Sequence, residues 1–409
     1  MEVMKKVADR HNLVCLLHEK PFEGINGSGK HNNWSMITNT GVNLLDPGKT
    51  PAENTQFLVF LAAVIQAVDD YADLMRISVA SPGNDHRLGA NEAPPAIVSI
   101  FLGDELTAVL KSIENDTYFD QSPAIQMETG AHVLPHFIKD TTDRNRTSPF
   151  AFTGNKFEFR MLGSSLSVSG PNTVLNTAVA ESLSQFAERL SSVPEEHLDH
   201  EVHELIKDTI KAHKKVIFNG NGYTDEWVEE AEKRGLFNLR STPEALKEFV
   251  SSKNIQLFTK HAIYTKGEIE SRYEILLENY SKTLHIEAKT LLEMMTKDLL
   301  PSLLTYEEQV AEAGAKKKAF SASISTIREE ELLDKLTSLY EQISKYSEEL
   351  GAMVATAEGM EDSLASAEYY QSQILPKMDE VRICADEAES LIPDDLLPYP
   401  TYSQLLFSI

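Results

Sequence analysis

The stretch Gly24-Ile25-Asn26-Gly27-Ser28-Gly29-Lys30-His31-Asn32-Asn33-Trp34-Ser35 constrains this chain more than any other. Glycine permits φ > 0 and a close approach of backbone to a ligand. An amide, a lysine, a histidine and a serine set among three glycines supply groups that hold phosphate, carboxylate or metal. Few hydrophobic cores need such a composition, so the loop reads as the centre of a binding site.

The spacing Gly24-x-x-x-x-Gly29-Lys30 approaches that of a phosphate-binding P-loop. It departs at the next position, where a Ser or Thr would ligate magnesium and His31 stands instead. The context departs too, because a P-loop joins a strand directly to a helix. Here Pro21 intervenes after the apolar run Leu13–Leu17, which reads as a buried strand, and Asn32-Asn33-Trp34 is a poor helix start.

Downstream, Trp34–Thr38 alternates and predicts a strand. Phe57, Leu58, Leu61, Val64, Ile65 and Val68 recur at helical spacing and predict one amphipathic helix over 53–76. Residues 81–95, rich in Gly, Pro and Asn, predict a long functional loop, and Pro95–Phe101 a strand. In Lys156-Phe157-Glu158-Phe159-Arg160 the alternation sets lysine, carboxylate and arginine on one strand face and both phenylalanines on the other. That face suits an anion and a metal together, or a solvated set of salt bridges. Pro171 opens a helix, 195–215 is a charged helical segment, and short helices follow at Trp227–Leu236 and Pro243–Val250.

From Lys266 the composition shifts to Glu, Lys and Leu. Apolar residues at spacings of three and four mark two long helices, the first ended or kinked at Pro301, in a helical hairpin or bundle. The proline-broken tail 391–409 reads as a docking segment. His197, His200 and His203 are spaced by three among acidic residues and read as surface side chains.

The formal net charge of −25 argues against nucleic acid or an anionic membrane as the main partner. Two distant cysteines, Cys15 and Cys384, suggest neither a disulfide framework nor a zinc site and point to a reducing, cytoplasmic setting. No apolar run reaches membrane-spanning length.

Four motifs in order resemble those of glutamine synthetases. Asn26-Gly27-Ser28-Gly29-x-His31 is similar to the family's Asn-Gly-Ser-Gly-x-His signature. Asn84-Asp85-His86-Arg87-Leu88 with Glu92-Ala93-Pro94 is similar to its Asn-x-x-Lys-Arg-Leu and Glu-Ala-Pro segment. Asn145-Arg146 and Phe157-Glu158-Phe159-Arg160 resemble its Asn-Arg motif and its Ile-Glu-x-Arg strand. The helical C-terminal region resembles the large type III class.

The resemblance implies an α+β fold: a partial catalytic domain of curved antiparallel sheet with helices over 1–240, a helical domain over 241–390 and the docking tail 391–409. It implies ATP-dependent ligation of ammonia to the γ-carboxylate of L-glutamate through γ-glutamyl phosphate, with Mg²⁺ or Mn²⁺, in a ring-type homo-oligomer. His31 and Glu158 match metal ligands. Asn26, Gly27, Arg87 and Arg160 match residues that hold glutamate. Ser35 and Lys156 fall on the ATP side, Arg146 beside the transferring phosphoryl group, and Glu92 on a flap closing over the substrate.

Bacterial type I relatives carry a second histidine where this chain has Asn33, an arginine where it has Ala151, and an arginine where it has Lys156. The resemblance also places a β-grasp domain and the other metal ligands upstream of the glycine loop, where this sequence has 23 residues. The expectation is therefore a C-terminal portion of a glutamine synthetase, inactive by itself. The alternative is a non-catalytic assembly or regulatory module acting through its C-terminal helices.

Overall fold

The computed structural model describes residues 2–15, 17, 29–89, 93–117 and 147–407. Two compact units emerge. One is His18–Tyr273; the other combines Met1–Leu17 with Glu274–Ile409.

The first unit is built round a small sheet with strands β1 (Asn32–Trp34), β2 (Ile100–Phe101), β3 (Phe150–Phe152) and β4 (Phe157–Phe159) in the order β1-β4-β3-β2. The pairs β1–β4 and β3–β4 are antiparallel, while β2 runs parallel to β3, so the sheet is mixed. Register explains its two faces. Trp34 pairs with Phe157 and Phe157 with Phe152; Asn32 pairs with Phe159 and Phe159 with Phe150. These side chains are buried, and Phe150 stacks on Phe157 with ring centroids 4.6 Å apart. The opposite face carries Asn33, Glu158 and Ala151 side by side. The expected alternation over 156–160 is therefore present, with a chemical face and an aromatic one.

The strands are shorter than the sequence predicts. The Trp34–Thr38 prediction places the strand too late: pairing covers Asn32–Trp34, after which only an isolated Ile37–Asn43 bridge follows. Of Pro95–Phe101 only Ile100–Phe101 forms a strand.

Helix α1 (Glu2–Arg10) belongs to the second unit. Beyond it, Leu13 makes only an isolated bridge to Phe407, and Leu13 and Val14 are exposed, so this run is not the buried strand that its composition predicts. The helix expected over 53–76 is two, α2 (Thr55–Asp70) and α3 (Ala72–Ile77), broken at Tyr71 (φ −125°, ψ 30°). Residues 61–68 are buried without interruption, because α6 (Ser169–Ser191) and α7 (Leu198–His213) both pack on α2.

The expected loop 81–95 contains a helix, α4 (Pro82–Arg87). Ser81 caps it through Oγ accepting from the Asn84 amide at 3.2 Å, and Pro82 occupies the first turn. Helix α5 (Gly103–Glu114) is an addition to the predicted elements. Helices α8 (Asp225–Lys233), α9 (Thr242–Phe249) and α10 (Ser252–Lys260) complete the unit.

Helix α11 (Lys266–Glu293) crosses from the first unit into the second. Pro301 does not end it. A π-helical turn, Met294–Leu299, leads directly into α12 (Leu300–Phe320), and the Leu300 amide donates to the Met295 carbonyl. The same arrangement recurs: α14 (Ser363–Tyr369) passes through a π turn, Tyr370–Ile374, into α15 (Leu375–Glu389), with Leu375 donating to Tyr370 ahead of Pro376. Proline has no amide and clashes with the carbonyl four residues back in an α-helix. A π turn just before it displaces that carbonyl. Helix α13 (Ile327–Glu358) packs antiparallel on α12 as a hairpin, and α15 packs on α13. In the tail, Leu396 accepts from Ser302 Oγ at 2.5 Å, and Tyr399 Oη donates to the Met294 carbonyl at 2.8 Å, at the first π turn. Helix α16 (Tyr402–Leu406) closes the described chain.

Candidate active site

Glu158 sits mid-strand on β4, between Asn33 of β1 and Ala151 of β3. Its Oε2 accepts from Arg160 Nε at 3.2 Å and Nη2 at 3.1 Å, a fork on a single oxygen. His31, one residue before β1, places Nδ1 3.5 Å from the same Oε2. Strand pairing explains this meeting: antiparallel register carries residue 31 opposite residue 160 and on the Glu158 face. Arg160 is 5% exposed, while His31 stays half open to solvent.

Arg87, on α4, is also 5% exposed. Its Nη1 donates to Asn84 Oδ1 at 3.1 Å and to the Met161 carbonyl at 3.2 Å, and Nη2 to the Arg160 carbonyl at 3.4 Å. Asn84 is fully buried and also holds the Val79 and Met161 carbonyls at 2.7 and 3.0 Å. This pair fastens α4 to the segment leaving β4. Gly29 lies directly on the guanidinium: a Cβ there would fall 2.1 Å from Arg87 Nη2. That glycine is needed for close approach, and the group it approaches is an arginine of the same chain.

A second layer holds α4 from behind. Arg76 is 1% exposed; its Nη2 donates to Asp85 Oδ1 at 2.7 Å and its Nε to the Leu239 carbonyl at 2.8 Å. Asp85 further accepts from the Thr242 amide and hydroxyl at 2.7 and 2.9 Å. Burial raises the Asp85 carboxyl pKa despite the opposing pull of Arg76 and Thr242. Nothing in the motif marks Arg76, because a helix arginine reads as a surface residue from sequence; Asp85 and Asn84 lie inside the motif, with the Ser81-Pro82 cap as their local signal.

Ser35 Oγ lies 2.7 Å from Asn43 Oδ1 and 3.1 Å from the carbonyl of Asn155, at the turn joining β3 to β4, with its one proton available to either acceptor. Lys156 is half-buried beside that turn, where its carbonyl accepts from the Thr153 amide. Lys30, the residue that mimics a P-loop lysine, donates to the Leu166 carbonyl at 2.5 Å. The strand that its loop enters is β1, so the strand-to-helix context of a P-loop is not met. Asn26, Gly27, Glu92 and Arg146 lie outside the described residues. The structure thus brings together His31, Glu158, Arg160 and Arg87. On the other face of the sheet, Asn32 Nδ2 donates to Asn172 at 2.8 Å and Trp34 Nε1 to Asn176 at 2.8 Å, seating β1 on α6.

Two family profiles match this sequence: the glutamine synthetase catalytic domain over residues 1–99 and the glutamine synthetase C-terminal domain over residues 201–318. The glutamine synthetase of Butyrivibrio fibrisolvens is 53% identical over 409 residues, covering 100% of this chain and 58% of its own length. The type-3 glutamine synthetase of Dictyostelium discoideum is 45% identical over 412 residues, and the glutamine synthetase of Bacteroides fragilis (strain YCH46) 37% over 417, each across 100% of this chain. The chain belongs to the glutamine synthetase family. It spans 56% to 58% of the length of these relatives.

Glutamine synthetases use divalent metals, and the donor set here fits one. A neutral imidazole nitrogen and a carboxylate oxygen 3.5 Å apart can both reach an ion at metal–ligand bonds of about 2.1 Å. Asn33 and Ala151, two of the departures from the type I pattern named above, are the two register neighbours of Glu158. Both departures therefore bear on the same carboxylate. Among the described residues no helix is long and apolar enough to cross a membrane.

Proposed function

We propose that this chain carries part of the site for ATP-dependent ligation of ammonia to L-glutamate through γ-glutamyl phosphate, acting in a cytoplasmic ring-type homo-oligomer. The meeting of His31, Glu158 and Arg160 carries this reading. His31 and Glu158 would hold Mg²⁺ or Mn²⁺. When bound, the ion supplies positive charge to the phosphate oxygens during transfer.

The chain's own residues supply orientation. Arg160 fixes the Glu158 rotamer through the fork on Oε2. Arg87 and Asn84 lock α4, so that the segment leading to Glu92 starts from a fixed point. In this reading Asn26, Gly27, Arg87 and Arg160 hold glutamate, Ser35 and Lys156 serve ATP, Arg146 steadies the transferring phosphoryl group, and Glu92 closes over the substrate. Lid closure of that kind excludes water from an acyl phosphate.

Because the chain by itself is expected to be inactive, the test is γ-glutamyl hydroxamate formation from glutamate, hydroxylamine and MgATP by this chain joined to the upstream portion of a relative such as the Butyrivibrio fibrisolvens glutamine synthetase, comparing that protein with its Glu158→Gln variant. A loss of about 100-fold or more is expected, the size seen when one charge-stabilising group is removed from an active site. Equal turnover by the variant would overturn the assignment of Glu158. A folded joined protein without turnover would favour the assembly-module alternative, and robust turnover by the chain alone would overturn the expectation that its site is partial.

A further inference from the structure

We propose that Asp69, Asp70 and His213 form a binding site for a first-row divalent cation of the Mn²⁺ or Zn²⁺ class, where the C-termini of α2 and α7 come together. This goes beyond the ligase reading and shares no residue with it.

Helix α2 ends at Asp70 and α7 ends at His213. His213 Nδ1 lies 2.8 Å from Asp69 Oδ2 and 3.7 Å from Asp70 Oδ1. One ligand atom from each residue falls within 4.8 Å of the other two. Neighbouring ligands about 2.1 Å from a common ion stand roughly 3 Å apart, which these separations bracket. Two carboxylates with an imidazole suit Mn²⁺ or Zn²⁺ better than Ca²⁺ or Mg²⁺, which favour oxygen alone.

The independent sign is an unsatisfied atom. The Asp69 side chain is 3% exposed, and its Oδ1 accepts no hydrogen bond. A buried carboxylate oxygen in that state is costly unless a cation meets it. The nearest is the Lys215 ammonium, 3.5 Å away, on a side chain 43% exposed and able to swing into water. Lys253 is engaged beside the site, on the Asp70 carbonyl at 2.5 Å and on Asp73 at 3.1 Å. Two helix C-termini add their partial negative charge at the same point. Asp70 is 37% and His213 18% exposed, which leaves a route for an ion and for water ligands.

The rival reading is a plain salt-bridge cluster of His213, Asp69 and Lys215, and Lys215 separates the two. Lys215→Met removes a competitor from a cation site but a partner from a salt-bridge cluster. Mn²⁺ binding is followed by electron paramagnetic resonance on the chain carrying His31→Ala and Glu158→Gln, so that the active-site pair does not report. One Mn²⁺ is expected to remain bound. Asp69→Asn or His213→Gln in that background should weaken it at least tenfold, and Lys215→Met should tighten it severalfold. Tryptophan fluorescence checks that each variant is folded. As a second readout, Mn²⁺ should raise the melting temperature of the background protein and not that of the His213→Gln variant. Failure of the background protein to retain Mn²⁺, or retention indifferent to both Asp69→Asn and His213→Gln, would overturn the proposal.

Discussion

The two units spend charge in opposite ways. In His18–Tyr273 charged side chains are taken out of water: Asp73, Arg76, Arg87, Arg160 and Glu181 are all buried. Each is met by named donors or acceptors, often backbone carbonyls far away in sequence. In Glu274–Ile409, among the described residues, the buried polar side chains are Thr326 and Ser347, neither of them charged. Charge there lies outside as helix-surface pairs such as Lys282–Glu278 and Lys316–Glu312, or between helices as in Lys335–Glu387. The first pattern fixes side chains for chemistry at the expense of stability. The second lets a Leu and Ile seam carry the stability.

The comparison makes ordered predictions. Both tryptophans, Trp34 and Trp227, lie in the first unit, so their fluorescence reports it. The largest effect is expected from Arg76→Met, which strands Asp85 without its cation: about 3–5 kcal/mol, read from the urea midpoint of that fluorescence. Next is Leu339→Ala, at a buried seam position of α13. It should remove about 2–4 kcal/mol from the helical unit, measured by far-UV circular dichroism.

Third is Glu181→Gln. Burial pushes the Glu181 carboxyl upward, but hydrogen bonds from Lys260, Gln185 and His261 outweigh it and hold the pKa down at about 2. A depressed carboxyl stabilises the fold above its ordinary value of 4.5 and loses that contribution as pH falls through about 2. The variant should therefore be less stable than wild type by about 1–3 kcal/mol near neutrality, with the gap shrinking between pH 4.5 and 2. The smallest effect belongs to Lys335→Ala, whose partner Glu387 is half exposed: under about 1 kcal/mol and reduced further by salt. A Lys335 effect equal to that of Arg76 would break the contrast between the units.

The helices were legible because three-and-four spacing reports burial directly. The short strands were less so. Three paired residues leave little alternation to read, and β2 begins only after two prolines. Apolar content misled at Leu13 and Val14, which stay exposed, and loop composition concealed α4. At the site, the Phe-Glu-Phe-Arg alternation identified the chemical face, but the distance from His31 to Glu158 follows from strand register, which one sequence does not display. Arg76 was invisible for a related reason. Its partners, at 85, 239 and 240, meet it only in three dimensions.

The π turn before Pro301 also settles a question of phase. Leu284 and Leu303 are both fully buried and lie nineteen positions apart. At about 100° per residue, nineteen α-helical steps would swing the second leucine roughly 100° off the line of the first, whereas eighteen would return it. The wider turn at Met294–Leu299 takes up the odd residue. That segment works as a phase corrector, cancelling an insertion that would otherwise rotate everything after it. Shortening the chain by one residue within the turn would preserve the seam; shortening it elsewhere along α11 or α12 would turn one half of the seam toward solvent.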